Sequence, residues 1–180
     1  MRLTPIVRWA LSVGGLLAAV VVVAAASLLL GFLPPAGTIP GWDVVTGSTR
    51  GGSDDDSLYQ MYDGAVPQMR QKGLKEAYQR IYKHGDKRLT VDLFRMGTWQ
   101  QAKAWYVEQR EGNRSASWFK TYDNLKNQGF IAENSGALVG MLWQRQYVAQ
   151  VGLQGSGGAD RGEVYEFLKS ISGRIKSQSP

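Results

Sequence analysis

Apolar and polar positions change their period several times along the chain, and each change marks an element. Trp9 to Leu33 make 25 consecutive uncharged residues, mostly Ala, Val and Leu, with no alternation. As a helix this run would reach about 37 Å at 1.5 Å per residue, enough to cross a ~30 Å hydrocarbon core with some tilt. Pro34 and Pro35 end it, because proline supplies no helical donor. Residues 36–53 are rich in Gly, Pro, Ser and Thr and read as a tether carrying a first short strand at Gly41 to Val45. Beyond them Leu58, Tyr62, Ala65 and Met69 recur at spacings of four, three and four, which predicts one apolar stripe on a helix. Pro67 should bend or break that helix, and Gly73 should cap its end.

Two stretches of alternating character follow, Ala77 to Lys83 and Leu89 to Met96, separated by His84-Gly85-Asp86. They predict an antiparallel hairpin, with Leu89, Val91 and Leu93 on one face and Thr90, Asp92 and Phe94 on the other. Thr98 and Gln101 form a capping-box pattern, opening a helix to about Arg110 that buries Ala102, Trp105 and Tyr106. The polar stretch from Glu111 to Gln128 reads as loop and short turn. Phe130 to Glu133, Ala137 to Gln144 and Tyr147 to Leu153 are three further strands. After Gly155-Ser156-Gly157-Gly158, Val164, Phe167, Leu168, Ile171 and Ile175 lie at helical spacing, behind an Asp160 and Glu163 cap pattern. The order implies an α+β fold: an N-terminal transmembrane helix, then an antiparallel sheet covered on one face by about three helices. The expected divisions are a signal anchor over 1–35, the tether and first strand over 36–53, the exported domain over 54–176 and a tail over 177–180.

Charge sets the expected orientation. Arg2 and Arg8 precede the apolar run, no basic residue follows it until Arg50, and basic residues favour the cytoplasmic side. The N-terminus is thus expected in the cytoplasm and the folded part outside the inner membrane, in the periplasm or beyond the cell. Ala24-Ala25-Ala26 also offers a signal-peptidase site. Cleavage there would expose the apolar residues 27–33, which favours an uncleaved anchor. Gly14 with Ala18 and Gly15 with Ala19 form two small-xxx-small pairs of the kind that lets helices pack closely in lipid, and predict a partner helix from another subunit or a second copy.

Candidate chemistry is sparse. The chain has no Cys and one His among its 180 residues, which removes thiolate chemistry, disulfides and His-rich metal sites. No metal, cofactor or catalytic residue is assigned. The glycine loop before the last helix lacks the spacing of a phosphate cradle. Asp54-Asp55-Asp56 reads as a charged helix start rather than a calcium loop, and His84 as a solvent-facing turn residue. Nineteen basic residues beyond residue 35 are interspersed with 15 acidic ones, which disfavours a nucleic-acid partner and leaves an unspecific attraction to anionic lipid. Tyr59, Tyr62 and Asp63 could line a pocket between the first helix and the sheet.

The segment Leu58-Tyr59-Gln60-Met61-Tyr62-Asp63-Gly64-Ala65, the strand Leu89 to Gly97 and the pair around Trp143 to Val148 carry a resemblance. The chain resembles an uncharacterised bacterial family of exported domains with an L-Y-x-x-x-D/N-G-A segment, a hairpin ending in M-G and a G-x-x-Y-V-like strand pair. The resemblance implies export and fold, and no activity. The leading functional expectation is a non-catalytic accessory subunit or assembly factor of an envelope membrane complex, such as an electron-transfer complex. The alternatives are a periplasmic ligand-binding or sensory domain and, third, a hydrolase using Asp63 or Asp92.

Overall fold

The computed structural model describes residues 28–122, 125, 128–155 and 160–178. The elements are β1 (Asp43–Val44), β2 (Arg50–Gly52), α1 (Asp55–Tyr62), a 3-10 turn (Asp63–Ala65), α2 (Val66–Gln71), β3 (Leu74–His84), β4 (Lys87–Met96), α3 (Trp99–Gly112), β5 (Trp118–Thr121), β6 (Gly129–Asn134), β7 (Ala137–Gln144), β8 (Tyr147–Gln154) and α4 (Arg161–Gln178). The eight strands among the described residues make one sheet in the order β1-β3-β4-β8-β7-β6-β5, with β2 also pairing β3. Every pairing is antiparallel.

Helices cover both faces of this sheet rather than one. On the first face Leu89, Val91, Leu93, Ala149, Val151 and Leu153 pack under Val164, Phe167, Leu168, Ile171 and Ile175 of α4. Gly140 allows the close approach: a Cβ there would lie 2.5 Å from Val164 Cγ1. On the second face Ala77, Phe94, Met96, Met141 and Val148 pack under Leu58, Val66, Met69, Ala102, Trp105 and Tyr106. The alternation of β3, β4 and β8 thus feeds two cores, because side chains of successive strand residues point to opposite sides.

The end of the apolar run differs from its expected role. Residues 28–32 form a helical turn, and Leu29, Phe32 and Leu33 are each at most 2% exposed within the first-face core. Phe32 lies edge-on to Tyr147 with ring centroids 4.9 Å apart, and the Tyr82 hydroxyl donates to the Pro34 carbonyl at 2.7 Å. Burial pushes the Tyr82 phenol up to about 12, so it stays a donor. These residues belong to the folded domain and not to a membrane span. The stretch after them is no free tether either: Ile39 and Trp42 are buried, and β1 and β2 extend the sheet. The remainder of the expected anchor, with Gly14, Gly15, Ala18 and Ala19, lies outside the described residues, and no described helix is long and apolar enough to cross a membrane.

The first predicted helix is broken at Asp63, whose φ is 45°, instead of at Pro67. Pro67 occupies the first turn of α2, where a missing N–H leaves no bond unmade. β5, in a stretch expected to be loop, is held by Phe119 stacked on Phe130 at 5.4 Å and by Arg161 lying 4.0 Å over the Trp118 ring.

Candidate functional site

The second face is covered over only half its height. Phe94 and Met96 of β4 lie under helices, whereas Thr90 and Asp92, on the same face, border an open groove. Gln150 and Gly152 of β8 pair with Asp92 and Thr90, and Met141 and Val139 of β7 come next. The groove has a volume of about 700 Å³ and is also bordered by Ile81, Arg88 and Gln154, a size suited to a small ligand. Its depth follows from Gly152, where a Cβ would meet nothing within 4 Å.

Asp92 is the chemically distinctive group. It is 7% exposed, and its Oδ1 accepts both the Tyr62 hydroxyl at 2.9 Å and Gln79 Nε2 at 2.8 Å. Gln79 Oε1 in turn accepts two donors of Arg50, at 3.0 and 2.7 Å. Among the described residues Oδ2 of Asp92 receives no hydrogen bond and the carboxylate has no salt bridge. The two other buried acids each have one: Glu76 with Arg95 at 2.8 Å, and Asp160 with Lys87. Burial raises the Asp92 pKa, while the bonds from Gln79 and Tyr62 and the charge of Arg50 hold it down in part. The Tyr62 phenol is pushed far up, chiefly by burial and further by the Asp92 charge, so it remains a donor to the acid.

Of the three residues expected to line a pocket, Tyr62 turns inward to Asp92, whereas Tyr59 is 44% exposed and Asp63 is exposed at the helix break. Asp92 and Asp63, the acids of the hydrolase reading, share no hydrogen bond, and Asp92 bonds to no second carboxylate among the described residues. Asp54 caps α1, accepting from the Ser57 amide at 2.8 Å, and Asp55 pairs with Arg70. His84 is the last residue of β3; its ring sits 5.5 Å from that of Trp42, with Nδ1 3.5 Å from Glu163. No group of three metal-ligating side chains occurs among the described residues. Thr90, Gln150 and Gly152 were not foreseen as site residues. Their signal was a strand face polar at one end and apolar at the other.

No protein-family model matches the chain, and no curated protein is similar to it. Its fold is similar to that of the extracellular domain of PknH from Mycobacterium tuberculosis, with a TM-score of 0.56, over 83% of this chain and 96% of that one. The two are 12% identical, so the likeness concerns the fold.

Proposed function

We propose that the chain is a non-catalytic binding domain on the outer side of a bacterial inner membrane, held there by residues 9–27, and that its groove takes a small polar ligand. The observation that carries this reading is the buried Asp92 carboxylate, with Oδ1 hydrogen-bonded and Oδ2 without a hydrogen bond among the described residues, on a residue that lines an open groove. A buried charge lacking a counter-ion is costly, and a ligand bringing an ammonium or similar donor group to Oδ2 would relieve that cost. Export is supported by Arg2 and Arg8 ahead of the apolar run and by the fold shared with an extracellular domain. Residues 9–27, 19 in number and uncharged, would as a helix still span about 28 Å.

The test is a thermal-shift series on the detergent-solubilised chain with diamines, amino sugars and neutral sugars, since a ligand of the native state raises its stability. Amine-bearing compounds should raise the melting temperature of the wild type and leave Gly152→Val, which fills the groove floor, unmoved. Equal shifts in both proteins, or none with any compound, would remove the reading. The accessory-subunit reading, with Gly14, Gly15, Ala18 and Ala19 as contacts, requires instead a membrane protein that co-purifies in mild detergent and is lost in Gly14→Leu with Gly15→Leu.

A further inference from the structure

The chain enters the fold at a definite end. Traced backwards, Trp42 lies beside His84 at the β3–β4 turn, the Pro34 carbonyl meets Tyr82 further down the sheet, and Phe32 rests on Tyr147. Tyr147 opens β8 directly after the β7–β8 turn, so continuing in the same direction brings Leu28 out at that end. The β4–α3 corner lies there too, since the Met96 amide donates to the Gln146 carbonyl at 2.8 Å. The last turns of α4 reach the same end, where Ser172 bonds Gln144 at 3.0 Å.

This end carries two of the three large apolar side chains exposed among the described residues, Trp99 at 52% and Leu28 at 42%. The apolar surface of α3 continues from Trp99 through Ala104 and Val107. Lys176 is exposed on the last turn of α4 on the other face, Lys75 is exposed next to Gly97, and Lys103 beside the α3 surface. Glu108 beside it is neutralised by Lys72 at 2.5 Å, and of the acids opening α1, at the β2 edge, Asp55 is paired with Arg70.

We propose that this end of the domain, with Trp99 at its centre, lies on the lipid headgroups of the membrane that residues 9–27 cross. The inference rests on the anchor reading and not on the groove. On the anchor reading the span ends at residue 27, and burial of Leu29 sets the core of the domain two residues beyond that point. A surface held so close experiences a high effective concentration of lipid, so a single Trp and a few Lys suffice to seat it. Trp favours the headgroup level and Lys favours anionic lipid. The seated domain would hold the β3–β4 turn, and the groove beside it, away from the bilayer.

The native absence of Cys makes site labelling of the full chain direct. Gln100→Cys and Asn134→Cys variants carry a fluorophore at the two ends, in phosphatidylcholine and phosphatidylglycerol vesicles with headgroup spin-labelled lipid. Quenching should be several-fold stronger at position 100 than at 134, and should fall when Trp99→Ser and Lys103→Gln are added without change in melting temperature. Equal or absent quenching at 100 in a chain that floats with the vesicles would overturn the docking and leave the anchor standing. A chain that does not float overturns both. An emission shift at position 100 that follows the protein-to-lipid ratio, without spin-label quenching, would assign Trp99 to a second copy and also overturn the proposal.

Discussion

Asp92 is where a single side chain separates a structural role from a binding one. Its folded-state pKa is raised by burial, so the native state holds its proton more tightly than the unfolded chain and the contribution to stability falls as pH rises above the ordinary carboxylate range. Asp92→Asn keeps an acceptor for Tyr62 and Gln79 and removes the charge. It should stabilise the protein at pH 7 by about 1 kcal/mol, near ~3 °C in melting temperature, and flatten the dependence on pH; melts between pH 4 and 8 check this. Loss of stability at pH 7 would show that the carboxylate is structural. Glu76 offers the contrast. It is 3% exposed and bonded by Arg95, so Arg95→Met should cost roughly 3 to 5 kcal/mol by leaving a buried charge uncompensated, as denaturant titration would show.

Among the elements, the N-terminal turn makes the largest departure from expectation. With Leu29, Phe32 and Leu33 in the core, a chain beginning at Leu28 should melt cooperatively, whereas one beginning at Ala36 should fail to. Each lost side chain costs about 2 to 5 kcal/mol against a total stability of ~5 to 15; circular-dichroism melts of the two proteins decide it. Two glycines on neighbouring strands make a second paired test. Gly140→Val should destabilise by roughly 1 to 3 kcal/mol because it collides with Val164 and Leu168, while Gly152→Val should change stability little.

The β3–β4 hairpin, α3 and α4 were legible because their periodicities are strong, and α3 also because its Thr98 cap is local. The first strand, expected within Gly41 to Val45, is found as β1 at Asp43–Val44, whereas β2 is three residues long, too short to show alternation, and β5 is fixed by stacking against Phe130 and Arg161, partners distant in sequence. Residues 28–33 were misread because an apolar helix looks the same whether lipid or a protein core receives it. The groove was half visible in Thr90 and Asp92, but which end of a strand the helices leave open is settled by tertiary packing.

At the scale of the whole molecule, a two-faced sheet is sealed by α4 and the N-terminal turn on one side and half open on the other. The sealed side ties the fold to the apolar segment before it, and the open side presents an under-bonded acid. The most direct measurement is an NMR titration of the chain in detergent micelles with the amine that gives the largest thermal shift. Amide shifts concentrated at Thr90, Asp92, Gln150 and Gly152, saturating with the same midpoint and absent in Asp92→Asn, are the predicted result. Shifts confined to α3 or α4, or unchanged by Asp92→Asn, would contradict the account.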